Sequence, residues 1–193
     1  MIELLNLIKG VFWMLTKEKL HKLTLAGLLL ATLIICSQIT IPLPIVPLTL
    51  QTFALGLIAS LLSPLYAVEV VVAYLVLGAV GLPVFAGFSG GAAVLISPTA
   101  GYLYSFVVYA LVTSLYLKFR GRKTIDLFVA NLIGATLNLI IGSLWMVPVL
   151  HMSVKTAFLT GTVPFILPAI VKLFFIIVIA SRLQKISRFN IAA

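Results

Sequence analysis

The residue with the most distinctive chemistry is a lysine inside the last apolar stretch of the chain. Lys172 lies roughly 13 Å of helix from the basic end of that stretch. A cation at that depth is costly and must face a partner or water. Neither Glu69 nor the other acids (Glu3, Glu18 and Asp126) are obvious partners. The sequence therefore predicts that a ligand carboxylate neutralises Lys172, with snorkelling or pairing with carbonyl groups as the alternative.

Two further apolar stretches carry polar and aromatic residues at intervals of 3, 4, 4 and 3. These residues are Tyr102, Ser105, Tyr109, Thr113 and Tyr116 in one stretch, and Asn131, Gly134, Asn138, Gly142 and Trp145 in the other. The spacing places each set on one helix face. Such faces are usually packing seams between helices. Alternatively, Tyr102, Asn138 and Trp145 form a pocket wall, where an aromatic ring covers an apolar ring and an amide binds its polar edge.

An uncharged, proline-rich segment spans residues 41–47. Its three prolines fix φ and favour an extended backbone. An extended backbone here would place Thr49, Gln51 and Thr52 at the start of the second apolar stretch. The segment is either part of a binding site or a stiff hairpin connector.

A glycine-rich, uncharged segment follows at residues 78–102. Glycine lets the backbone approach a ligand closely. We interpret the segment as a lid or re-entrant loop over a cavity, against the alternative of a disordered loop. Its string Gly-Phe-Ser-Gly also matches an intramembrane serine protease, with Ser89 as nucleophile. That chemistry needs a nearby base, but His21 and His151 lie outside the apolar stretches, so hydrolysis is the weaker hypothesis.

The composition fixes the class of protein that must position these residues. The chain has 193 residues, of which 63% are hydrophobic and 9% charged. A soluble domain is about 45–50% apolar and about 25% charged. We therefore expect an integral membrane protein. The single cysteine, Cys36, excludes an internal disulfide, and no phosphate-binding loop or metal-binding motif occurs, so any ATP-driven step needs a partner.

Six apolar spans predict an all-α integral membrane protein of six transmembrane helices. They cover residues 24–41, 48–63, 66–81, 100–117, 127–148 and 160–181. Eleven Lys and Arg residues lie before the first span, between the fourth and fifth, and after the last. With six spans, all eleven lie on one side. The positive-inside rule then predicts that both termini are cytoplasmic.

Three segments follow from this division. Residues 1–23 are predicted to form a cytoplasmic or interfacial amphipathic segment, residues 24–184 the six-helix membrane domain, and residues 185–193 a cytoplasmic basic tail. The first prediction depends on apolar residues at helical spacing: Leu4, Leu5, Ile8, Val11, Phe12 and Leu15. The alternative is that the functional chain starts at Met14.

Residues 42–52 (PLPIVPLTLQT) and 77–87 (LGAVGLPVFAG), with Gly90-Gly91 and residues 98–102 (PTAGY), closely resemble the BioY family. BioY proteins are the biotin-binding S components of energy-coupling factor (ECF) transporters. The resemblance covers residues 20–185. It implies six helices with a pocket that opens outward and is capped by the outer loops. In the family's last-helix motif, Pro-Gly-Asp-x-x-Lys, Lys172 is kept, whereas Pro168 and Ala169 replace glycine and aspartate.

The resemblance implies a binding subunit for biotin uptake in the cell membrane, not an enzyme, with no cofactor. We expect Lys172 to bind the carboxylate. Expected ureido contacts are Gln51, Ser89 and Asn138, and expected ring contacts are Phe85, Tyr102 and Trp145. Gly27 and Ala31, a small-xxx-small pair, match the family's contact with the transmembrane coupling protein, which two ATPases would serve. The alternatives are an S component for another small carboxylate vitamin, the serine hydrolase, and a structural membrane protein.

Overall fold

The computed structural model describes the backbone of residues 2–185 and the side chains of residues 19–185. This part of the chain forms seven α-helices, two short strands and two 3₁₀ segments. The helices are α1 (Ile2–Gln38), α2 (Gln51–Leu61), α3 (Pro64–Ala79), α4 (Ala100–Arg120), α5 (Thr124–Leu150), α6 (Val154–Gly161) and α7 (Val163–Leu183). Strands β1 (Thr40–Ile41) and β2 (Leu48–Thr49) pair antiparallel around the proline-rich segment. The 3₁₀ segments, Ala86–Phe88 and Ala92–Ile96, lie in the glycine-rich segment.

The prediction of a mostly helical membrane protein is confirmed, but the number of spans is not settled. Four stretches are long and apolar enough to cross a bilayer: Lys19–Gln38, Ala100–Arg120, Thr124–Leu150 and Val154–Leu183. Helices α2 and α3 have 11 and 16 residues, or about 16 and 24 Å, against a hydrocarbon core of about 30 Å. The count of six therefore stays a prediction.

Helix α1 begins well before the first predicted span. Its backbone is helical from Ile2 to Gln38, so residues 2–23 continue directly into the span. The side chains of residues 1–18 lie outside the described residues, as does the tail at 186–193. The amphipathic face and the basic tail therefore stay predictions.

The packing seam predicted from the polar faces of α4 and α5 is present. The Tyr109 hydroxyl donates to Asn131 Oδ1 at 3.1 Å, and the Thr113 hydroxyl donates to the Ala130 carbonyl at 3.1 Å. Gly134 lets the two helices approach, because a Cβ there would lie 2.4 Å from Thr113 Oγ1. Asn131 Nδ2 also reaches Ser60 Oγ on α2 at 2.8 Å, so one amide joins three helices.

The α4–α5 loop and the end of α7 meet the last turn of α2 at one end of the bundle. There Arg122 donates to the carbonyls of Ser60 and Leu62, and the amide of Gln184 donates to Ser60 O at 3.2 Å. These side chains satisfy carbonyls that the last turn of α2 leaves unpaired. Burial lowers the pKa of Arg122 to about 10, so it remains charged at neutral pH. We call this the basic end.

Replacing Arg122 with methionine should destabilise the folded protein. The change removes charge-assisted hydrogen bonds worth about 1.5–3 kcal/mol, which corresponds to a fall of roughly 3–12 °C in the unfolding midpoint for a chain of this size. Thermal unfolding in detergent measures it. The matched control is Lys123→Met, since Lys123 is exposed at the next position. Equal midpoints for the two variants would contradict the capping role.

Candidate ligand-binding site

A cavity of about 160 Å³ lies at the end of the bundle opposite the basic end. The proline-rich and glycine-rich segments both contribute walls to it, together with α2, α4, α5 and α7. Six of the seven residues predicted to bind ligand line this cavity: Gln51, Phe85, Ser89, Tyr102, Asn138 and Lys172. These residues come from five different parts of the chain, and only the folded bundle brings them together.

Lys172 lines the cavity and is held by the end of β2 and the first turn of α2. Its Nζ donates to the Thr49 carbonyl at 2.6 Å and to Thr52 Oγ1 at 3.0 Å. An ammonium group has three donors, so one remains for a ligand. The described lining residues include no Asp or Glu, and Glu69 is exposed on α3. The cavity therefore carries one positive charge without an acidic partner among the described residues.

The face of α7 that includes Lys172 also supplies two residues that the sequence reading missed. Phe165 and Ala169 precede Lys172 by seven and three residues, and all three line the cavity. Helical spacing from Lys172 was the signal that could have found them. Phe165 and Ala169 present only apolar groups, so Lys172 is the polar residue on this wall.

Asn138 presents an acceptor to the cavity because its neighbours fix the orientation of its amide. Nδ2 lies 2.6 Å from Ser105 Oγ and 3.2 Å from the Tyr102 carbonyl. The carbonyl can only accept, and Ser105 Oγ uses its own proton on the same carbonyl at 2.8 Å. The nitrogen must therefore face Ser105, which leaves Oδ1 without a donor among the described residues. Asn138 is only 2% exposed, so a ligand N–H is a fitting partner.

Gln51 begins α2 and has both ends of its amide engaged. Its Nε2 donates to Tyr74 Oη at 2.6 Å, and its Oε1 accepts from Thr49 Oγ1 at 2.9 Å. Each amide nitrogen has a second hydrogen and each carbonyl oxygen a second lone pair, so Gln51 can still bind a ligand. The two bonds hold the amide in one orientation beside Lys172's anchor at Thr49.

Aromatic rings form the apolar walls. Phe85 packs edge-on against Tyr74, with ring centroids 5.3 Å apart, and Tyr102 lies 6.4 Å from Phe165. The Tyr102 hydroxyl donates to the Gly161 carbonyl at 2.7 Å, so the ring is fixed between α5 and α6. Phe106 adds a further ring. These walls suit an apolar ring system that carries a few polar groups.

Trp145 is not among the residues that line this cavity. Its indole N–H donates to the Ser97 carbonyl at 3.1 Å, and its ring packs edge-on against Tyr104. Trp145 lies seven residues beyond Asn138, about 10 Å farther along α5. The ring of Tyr102 fills the intervening space against Gly142. The indole therefore contacts the glycine-rich segment outside the cavity lining.

Ser89 does line the cavity, but its surroundings do not resemble a nucleophile site. Its hydroxyl donates to the Ala86 carbonyl at 2.8 Å. No histidine is among the described lining residues, so the base that hydrolysis requires is not in place.

The predicted contact pair on α1 lies on the outside of the bundle. Gly27 and Ala31 are exposed, whereas Leu29 and Leu33 on the opposite face are buried. Nothing lies within 4 Å of a Cβ placed on Gly27. This face is therefore free of internal packing.

Comparison with known proteins decides the family. The model of the BioY family matches residues 10–189. The chain belongs to the BioY family. The chain is 40% identical to the biotin transporter BioY2 of Lactococcus lactis subsp. cremoris over 154 residues, which are 80% of this chain and 85% of that protein. It is 36% identical to a probable biotin transporter BioY of Pyrococcus horikoshii over 166 residues, 86% and 98% of the two chains.

A solved structure has the same fold as this chain. The S-component for biotin from an ECF-type ABC transporter matches with a TM-score of 0.86 and 27% identity, over 91% of this chain and 97% of that one. These relatives are transporters and not enzymes, which agrees with the prediction of a binding subunit and not an enzyme.

Proposed function

We propose that this chain is the membrane subunit that binds biotin for uptake by an ECF transporter. The observation that carries the proposal is the Lys172 ammonium, which lies in an aromatic-walled cavity lined, among the described residues, by no acid. The proposal is also supported by the biotin transport activity named for the BioY relatives.

The cavity's chemistry matches the three parts of biotin. The carboxylate accepts the remaining Lys172 N–H, a charge-assisted bond that is strong in a dry site. A ureido N–H donates to Asn138 Oδ1, with Gln51 and Ser89 as the other polar contacts. The fused rings lie between Phe85 and Tyr102. The site binds its ligand without forming or breaking a covalent bond.

The transport direction follows from the two ends of the bundle. The cations of the 118–123 region, Arg182 and Lys185 lie at the basic end, opposite the cavity. The positive-inside rule places this end in the cytoplasm and the cavity toward the outside. Both termini are then cytoplasmic, and α2 and α3 complete six spans, with the local bilayer thinned around these short helices.

Energy must come from partners, because the chain has no ATP-binding motif. The exposed Gly27 and Ala31 face of α1 is the proposed contact with the energy-coupling transmembrane protein, which two ATPases drive. Small residues suit this role because they let another helix approach closely.

The proposed function is tested with the purified full chain in detergent. Native mass spectrometry should detect co-purified biotin, and calorimetry with biotin, lipoate, pantothenate and nicotinate should show tight binding of biotin alone. Tight binding of another of these acids would favour a different vitamin carrier. If none of the four acids binds, the hypothesis of a structural membrane protein would be favoured instead.

The two asparagines of α5 should separate binding from packing. Asn138→Ala should weaken biotin binding about tenfold, because it removes one ligand hydrogen bond of roughly 1–1.5 kcal/mol. Asn131→Ala is the matched control: it lies seven residues away on the same face, but bonds only protein groups. It should lower the unfolding midpoint and leave the affinity of the folded protein unchanged. Equal effects of both variants on affinity would contradict the assignment of Asn138.

A further inference from the structure

We propose that Gln38, the last residue of α1, is the positioning residue that holds the cavity wall formed by residues 83–89. This inference rests on the proposed function for its ligand, but not for its geometry. We call residues 83–89 the lid segment, because Phe85, Ala86 and Ser89 within it line the cavity. Gln38 itself does not line the cavity.

The amide of Gln38 contacts the lid segment from both of its ends. Its Oε1 accepts from the Phe88 N–H at 2.8 Å. Its Nε2 lies 3.2 Å from the Phe85 carbonyl and 3.4 Å from the carbonyls of Pro83 and Val84. These oxygens can only accept, so the nitrogen must face them and the orientation of the amide is fixed.

A second polar residue on α1 completes the contact. Gln38 Nε2 lies 2.7 Å from Ser37 Oγ, and Ser37 Oγ lies 2.6 Å from the Val84 carbonyl. Ser37 is fully buried, so its contact with the Val84 carbonyl is shielded from solvent. Two adjacent side chains at the end of α1 thus contact four residues of the lid segment: Pro83, Val84, Phe85 and Phe88.

The lid segment needs such support because its backbone is locally unfavourable. Gly87 and Phe88 are both left-handed, with φ of 66° and 56°. Glycine tolerates that region, but phenylalanine rarely adopts it. Phe88 is also 70% exposed, so side-chain packing does not hold it there. The Phe85 N–H closes the turn on the Ser89 carbonyl at 3.0 Å. The bond from the Phe88 N–H to Gln38 Oε1 ties the left-handed part of the turn to α1.

The position of the lid segment sets the shape of the binding site. The Phe85 ring packs against Tyr74, whose hydroxyl binds Gln51. A displaced lid segment would therefore disturb an aromatic wall and a polar contact together. Loss of the Gln38 amide should speed biotin release without removing any atom of the site.

Two variants test this role in the full-length protein. Gln38→Met keeps the side chain's length and removes its polarity, whereas Gln38→Asn keeps the amide and draws it back from the lid segment. Thr32→Val is the control, because the Thr32 hydroxyl bonds only the Leu28 carbonyl of its own helix. Hydrogen exchange of residues 83–89 and of α3, the biotin dissociation rate and the unfolding midpoint without ligand are measured for each.

Both Gln38 variants should raise amide exchange in the lid segment at least tenfold and biotin dissociation at least tenfold. Exchange in α3 and the midpoint should match those of Thr32→Val. Unchanged exchange in the lid segment would overturn the proposal, as would a faster exchange that is equal in α3. If the parent protein does not bind biotin, the proposed function fails, and the exchange measurement still decides the role of Gln38.

Discussion

Lys172→Met should weaken biotin binding by more than tenfold, which corresponds to over about 1.4 kcal/mol. Methionine preserves most of the side chain's length and apolar stem but removes the charge. The loss follows because the ligand carboxylate would enter a cavity with no cation among its described lining residues. The Thr49 carbonyl and Thr52 Oγ1 would also lose the hydrogen bonds that they accept from the Lys172 ammonium. Calorimetry on detergent-solubilised protein measures the change.

The control for this experiment is Lys155→Met, since Lys155 is exposed on α6 and is not a lining residue. A ligand-side control uses biotin methyl ester. The ester should bind the parent protein weakly, and Lys172→Met should change its affinity little, because the paired charge is already absent. Unchanged biotin affinity in Lys172→Met would refute the carboxylate contact.

Gly27→Leu should abolish co-purification with the energy-coupling protein while leaving biotin binding intact. A leucine at this position fits the isolated chain, because the space around a Cβ on Gly27 is empty. The same side chain would keep a partner helix from approaching the small-residue face. Affinity purification through a tag on the coupling protein measures association, and calorimetry measures biotin binding.

Val178→Leu provides a comparison, since Val178 is exposed on a different helix, α7. That variant should co-purify normally. Loss of both co-purification and biotin binding in Gly27→Leu would indicate misfolding, and retained co-purification would place the coupling protein elsewhere.

The relation between sequence and fold is clearest in α2 and α3. Hydropathy located each apolar run, at 48–63 and 66–81, because burial in lipid requires apolar residues whatever the neighbouring helices do. The residues at which a helix begins and ends depend on contacts with other segments, and hydropathy gives no information about those contacts. Residues 48–49 pair with β1, and the helix of α2 ends at Leu61, where Arg122 from a distant loop binds its carbonyls.

Trp145 and Phe165 show the same limit within the candidate site. Helical spacing placed Trp145 on the correct face of α5, but the ring of Tyr102 separates it from the cavity. Phe165 lies on the same face of α7 as Lys172. It was not predicted as a site residue, because the residues around it in the sequence show no pattern of polar positions. A face can be predicted from spacing, whereas the depth at which a cavity meets that face depends on the neighbouring helices.

The sequence alone determined the membrane class, the apolar runs, the two uncharged loops and the lysine within the last apolar run, because each depends on the cost of placing given residues in lipid. Only the tertiary structure decided what the lysine faces. Lys172 and Thr49 are 123 residues apart in the chain, and Gln38 and Phe88 are 50 apart. Such contacts form only when segments that are distant in the chain pack together, and local spacing carries no information about that packing.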